Sequence, residues 1–148
     1  MGMTYVKSDG ILIPNATSKA VVVDLGLGVD EAARILGVLV SGLPATPTGA
    51  AAVEIVYSFD PEDAVPDPDD DEQFFHVIIS VLLTTQGGRI ESETTFADFS
   101  GMNLITTRNL AFIAKATGAA GALAKGKIYY ERYKPSVNDL NQLIARRR

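Results

Sequence analysis

The chain has 148 residues, 47% of them hydrophobic and 21% charged, which is long enough for one domain with a sizeable core and too apolar for disorder. It contains no Cys and one His, His76, which excludes disulfide frameworks, thiolate zinc sites, thiol nucleophiles and a His-rich metal centre. The net charge of −5 is unevenly spread: Asp60 to Glu72 holds eight acids and no base, whereas Lys125 to Arg148 holds seven bases against two acids. Such a dipolar chain suits association between unlike patches or weak contact with an anionic partner; the plainer reading is two solvated segments.

Met1 to Asp9 is polar and shows no targeting signal. The longest apolar region, Ala20 to Leu43, is interrupted by Asp24, Asp30, Glu31 and Arg34, so no bilayer-spanning helix is expected and the protein reads as soluble.

Most of the chain reads as strand. Ile11 to Ile13 is a short apolar run stopped by Pro14, and Ala20 to Asp24 ends at Gly26 and Gly28. Ile35 to Val40 is expected to end at Gly42 and Pro44. In Val53 to Phe59, alternation places Val53, Ile55, Tyr57 and Phe59 on one buried face. Phe74 to Thr85 is the strongest strand, with Phe75, Val77, Ile79, Val81 and Leu83 on its apolar side. Gln86 to Arg89 then reads as a hairpin turn into the polar strand Ile90 to Phe99. Leu104 to Thr107 and Leu110 to Ala114 follow. Thr117 to Lys125, rich in Gly and Ala, is expected to be a loop, and Lys127 to Tyr133 a strand. About eight to ten short strands point to a sandwich or barrel.

One helix is expected at the C-terminus. Ser136 is its N-cap, with Asp139 three residues on, and Val137, Leu140, Leu143 and Ile144 share one face. A turn is preferred to a second helix at Asp30 to Leu36.

The chemical motifs weaken when weighed. Val21 to Ala32 has a strand followed by Gly26-x-Gly28, as a dinucleotide site begins, but Glu31 stands at the third glycine position and two acids would face the pyrophosphate. Asp67, Asp69 and Asp71 match the opening of a calcium loop, yet the required glycine is Glu72 and the last ligand position is Ile78. A looser divalent site in this loop is left open. His76 has no nucleophile elbow to serve and reads as satisfied by a neighbour. Glu91 and Glu93 fit a polar strand as well as acid–base chemistry. Tyr129, Tyr130 and Tyr133 cannot form one stacking platform, because alternation sends Tyr130 to the opposite face. No enzyme activity, cofactor, metal or small-molecule substrate is expected.

Asp30-Glu31-Ala32-Ala33-Arg34-Ile35-Leu36-Gly37-Val38-Leu39-Val40 and Lys127-Ile128-Tyr129-Tyr130-Glu131-Arg132-Tyr133-Lys134-Pro135-Ser136-Val137-Asn138-Asp139-Leu140, an acidic turn, sandwich strands and a closing strand with a short helix, together resemble small single jelly-roll virion proteins of tailless icosahedral viruses. The resemblance covers the general layout and carries no catalytic residue. It implies a capsid or capsid-associated subunit, located in the virion.

The expected architecture is therefore an all-β sandwich of the single jelly-roll type spanning 1–148, with an acidic surface loop at 60–72 and a C-terminal helix and basic tail at 136–148. The expected function is a self-assembling shell subunit whose partners are copies of itself and other virion proteins, with weak genome or membrane contact through the basic C-terminus. The alternative is a carbohydrate- or receptor-binding sandwich module. Candidate interface residues are Tyr5, Phe96, Phe99, Tyr129, Tyr133 and Leu140 as anchors, Asp67, Asp69, Asp70 and Asp71 as acidic contacts, and Arg146, Arg147 and Arg148 as basic ones. Deleting Asp67 to Glu72 is expected to leave the fold intact and weaken assembly.

Overall fold

The computed structural model describes residues 4–14, 17–82 and 93–146. Seven strands and one helix follow in order: β1 Thr4–Pro14, β2 Ser18–Val23, β3 Ala32–Ser58, β4 Gln73–Leu82, β5 Glu93–Asp98, β6 Leu104–Thr106, β7 Leu110–Tyr133 and α1 Val137–Arg146. All described strand pairs are antiparallel.

Two strands are far longer than the pattern of apolar runs predicts. β3 has 27 residues and β7 has 24, and they pair with each other from Ala32↔Tyr133 to Ser58↔Ala111. Gly42 and Pro44 do not end β3, and Thr117 to Lys125 is not a loop; both stretches lie within the paired ribbon. Small residues and prolines weaken strand propensity, but here they sit where the ribbon passes from one layer to the other, and its register shifts between Pro47 and Ala52.

The ribbon organises two layers. Layer one holds β1, the C-terminal half of β7, the N-terminal half of β3, and β5 and β6 in tandem along the far edge of β3. Layer two holds β2, the N-terminal half of β7, the C-terminal half of β3, and β4. With each half of β3 and β7 counted separately and β5 and β6 counted as one, the first segment pairs with the eighth, the second with the seventh, the third with the sixth and the fourth with the fifth. A nested antiparallel ribbon rolled into two facing sheets is a jelly roll.

The hairpin expected between Phe74–Thr85 and Ile90–Phe99 takes another form. Its turn, Gln86 to Arg89, lies outside the described residues, and the described parts of β4 and β5 pair with opposite halves of β3. β5 thus belongs to layer one and β4 to layer two.

The core fills the space between the layers with Ile11, Ile13, Val38, Val53, Ile55, Tyr57, Phe112 and Ile128, all at most 2% exposed. Tyr57, Phe75 and Phe112 cluster, with Tyr57 and Phe112 ring centroids 5.0 Å apart. At the helix, Asp139 N–H donates to Ser136 Oγ (3.2 Å), the expected N-cap. Leu140 and Leu143 are half-buried, but Val137 is 74% exposed and leaves the expected apolar face.

Candidate interaction surfaces

The two outer faces of the sandwich differ. On layer two, the outward residues Val56, Ala111 and Ile113 form a second apolar cluster, each 0% exposed. The acidic loop runs over them. Ser58 Oγ, at the end of β3, donates to Asp63 Oδ2 (2.5 Å), and Ser18 Oγ, on edge strand β2, donates to the Ala64 carbonyl (2.9 Å). Consecutive residues are thereby tied to β3 and to β2, and the row Val56–Ile113–Ala20 lies between those ties. Burial is the main cause raising the Asp63 pKa; the Ser58 hydroxyl opposes it, and the charges of Asp70 and Asp60 add to it.

The rest of the loop is a series of side-chain-capped turns. Asp60, Asp67 and Asp70 each accept a backbone N–H two residues on, at 2.9–3.0 Å, which is how Asp stabilises a turn locally. The loop closes on the body where Phe59 N–H donates to the Glu72 carbonyl (2.8 Å) and Arg108 Nη2 lies 3.6 Å from Glu72 Oε2. Asp67, Asp69 and Asp71 are exposed and Asp70 is half-buried. Among the described residues, no group of three or more His, Cys, Asp or Glu is arranged to hold a metal ion.

Layer one carries an uncovered apolar strip. Val6 pairs with Tyr129, and Tyr129 with Gly37. Phe96 lies over Gly37, where an added Cβ would stand 3.1 Å from its Cζ, and meets Tyr129 edge-on with centroids 6.3 Å apart. Lack of a side chain at Gly37 is what lets the phenyl ring cross the sheet. Val6 is 53% exposed, Phe96 59% and Leu12 69%. Lys125 and Lys127, both exposed, border a depression of about 160 Å³ beside Leu39 and Thr94.

The other anchors are engaged differently. Phe99 is 9% exposed and packs edge-on against Phe74 and Phe75, so it belongs to the core and offers no anchor. Tyr5 stacks on Tyr130 at 5.7 Å; Arg132 covers its ring at 4.3 Å and donates to its Oη. Tyr133 is half-buried with the Arg34 guanidinium 5.4 Å from its ring centre, and Leu140 is half-buried on α1. Arg146 ends α1, while Arg147 and Arg148 lie outside the described residues.

The glycine turn after β2 satisfies itself. Gly26, at φ 67°, donates to Asp24 Oδ1, and Gly28 N–H, which a phosphate would need, donates to Glu31 Oε1 (2.9 Å). A strand follows in place of a helix. His76 Nε2 lies 2.5 Å from Glu54 Oε1 on the neighbouring strand. No described helix is long and apolar enough to cross a membrane.

No protein-family model matches the sequence, and no curated protein matches it. Among solved structures, the chain is similar to the tobacco streak virus coat protein, at 11% identity and TM-score 0.43 over 90% of this chain and 88% of that one. It is similar to dimeric latent PorU of Porphyromonas gingivalis at 12% identity and TM-score 0.43, over 87% of this chain and 13% of PorU. A third likeness is to TmCBM61, solved with β-1,4-galactotriose, at 12% identity and TM-score 0.34 over 89% and 69% of the two chains. These likenesses are distant and of low identity, and the functional reading rests on the chain's own surfaces.

Proposed function

We propose that this chain is a structural virion protein, a self-assembling subunit of an icosahedral shell. The observation that carries the reading is the strip Val6–Tyr129–Phe96 on layer one, flanked by Lys125 and Lys127, on the face opposite the acidic loop. A large exposed aromatic beside aliphatic side chains is an anchor for association. The separation of charge across the two layers favours unlike faces meeting. Asp67, Asp69 and Asp71 of one copy then face Lys125 and Lys127 of the next, and such head-to-tail contacts close into rings or shells when the rotation between copies allows. Edge strands β1, β2, β4 and β5 and the basic C-terminal segment supply further contacts between copies.

Size-exclusion chromatography with electron microscopy of the purified protein tests the reading. Large closed particles of uniform size are expected. A monomer at high protein concentration across low and moderate salt overturns it, and turns the exposed strip into a site for a partner of another kind.

A further inference from the structure

A cleft of about 300 Å³ lies where α1 meets the end of layer one, away from the strip and the acidic loop. We infer that this cleft binds a single neutral saccharide ring.

Its polar lining comes from three separate elements: Arg34 on β3, Asn103 in the turn after β5, and Asp139 and Gln142 on α1. Tyr133, Ile105 and Leu143 add apolar surface. Among the described residues, the side chains of Asn103, Asp139 and Gln142 and the Tyr133 hydroxyl make no hydrogen bond. Four convergent polar groups with unused capacity at a half-buried aromatic ring define a binding cleft better than a packing defect. Asn103 also holds φ 54°, a conformation uncommon outside glycine, in the turn closed by Met102 N–H donating to the Phe99 carbonyl.

Charge selects the ligand class. Arg34 Nη1 is already engaged by Glu131 Oε1 at 3.1 Å, and Asp139 is the one carboxylate in the lining of the cleft itself. The guanidinium is therefore offset, and a phosphate or carboxylate ligand would meet Asp139 unfavourably. One carboxylate among the lining residues is too few for a cation site. Hydroxyl groups fit: they donate to the Asp139 carboxylate, accept from the amides of Asn103 and Gln142, and leave the C–H face of a ring for Ile105, Leu143 and the part of the Tyr133 ring that Arg34 does not cover. The volume sits at the lower end of small-molecule sites, which run from about 300 to 1,000 Å³, so one ring fits and an extended chain does not.

The test is a titration of the ¹⁵N-labelled protein with the methyl glycosides of glucose, galactose and mannose and with N-acetylglucosamine, followed by NMR. At least one sugar is expected to shift the side-chain amide resonances of Asn103 and Gln142, with a Kd on the order of 1 mM. Tyr133→Ala should weaken binding about tenfold or more, and Gln142→Ala several-fold, while Tyr133→Phe keeps the ring and loses only the hydroxyl contact. Should Tyr133→Ala fail to fold, Gln142→Ala and Asp139→Asn, both at exposed helix positions, decide the matter. The inference is overturned if no sugar moves these resonances at tens of millimolar, if the shifts survive Gln142→Ala and Asp139→Asn, or if acetate or phosphate moves them at lower concentration than every sugar. Binding is read on unassembled protein, so its outcome is separate from that of shell formation.

Discussion

Tyr57 of layer two is pressed against the backbone of Gly126 in layer one: a Cβ built on Gly126 would stand 3.1 Å from Tyr57 Cζ and 2.9 Å from Phe112 Cε2. The register partner of Gly126 on β1 is Asp9, whose charge acts on the Tyr57 hydroxyl. The two layers approach as closely as they do because one of the facing positions carries no side chain.

Gly126→Ala should therefore destabilise the fold by about 1–3 kcal/mol through overpacking. Tyr57→Leu in the Gly126→Ala background should recover part of that loss, because it withdraws the ring the new methyl meets. Urea unfolding of the two single variants and the pair measures the coupling. Strict additivity would show that the two positions do not share space.

A pH dependence follows from Asp9. Its Oδ2 is buried with no hydrogen-bond partner among the described residues, and burial raises its pKa above the ordinary carboxylate value, with Lys7 opposing. Folding therefore disfavours the ionised form. The contribution of this group is most favourable below the unfolded pKa, and it is lost as pH rises through the ordinary value towards the raised one. Asp9→Asn should increase stability at about pH 7 and change it little at about pH 3. Urea midpoints at the two pH values check this; an equal change at both would place the effect elsewhere.

The acidic loop is expected to behave as two parts. Replacing Asp63–Pro66 with glycines should uncover Ile113 and Val56, lower stability and increase binding of a hydrophobic dye. Asp67→Asn, Asp69→Asn and Asp71→Asn together should leave the unfolding midpoint nearly unchanged and weaken self-association, most at low salt where charge attraction is least screened. Sedimentation velocity across salt concentrations reads the second effect. These substitutions separate charge from tethering better than deletion of Asp67 to Glu72, because Glu72 also anchors the loop through its carbonyl and Arg108.

Phe96→Ser should reduce self-association while changing monomer stability by no more than about 0.5 kcal/mol, as for an exposed position. Gly37→Val should displace Phe96 and weaken association, but at a cost in stability that Phe96→Ser does not carry, because an added Cβ would also stand 2.9 Å from the Ala97 backbone carbonyl of β5. Light scattering of both variants against the parent protein measures it. Unimpaired association in Phe96→Ser would remove the strip from the interface.

Local pattern carried the elements with strong alternation. Val53, Ile55, Tyr57 and Phe59 are all buried as their spacing predicts, and Ser136 caps α1 as its position predicts. Pattern failed where tertiary geometry overrides propensity. Leu43 to Ala52 and Thr117 to Lys125 look like breaks because small residues and prolines are poor strand formers, yet a ribbon that changes layers needs small side chains at the crossing. Phe96 and Phe99 were indistinguishable by composition. The first lies on an outward strand position, and the second follows the strand end and turns into the core. The cover over layer two left one trace: Val56 and Ile113 are large and apolar on the side of their strands that alternation assigns to water, so something had to lie over them.

The nested pairing also governs when the protein can come into being. Thr4 pairs with Glu131, so β1 has no strand partner until β7 has been made. Until β7 emerges, β3 can pair only with β4, β5 and β6, and β1 and β2 wait without their strand partner. Such non-local topologies fold slowly, in roughly milliseconds to seconds for small domains, and the waiting strands are where chaperones would act. Edge strands β1 and β2 therefore take their native pairing only once β7 is in place, and any contact that uses them waits for it.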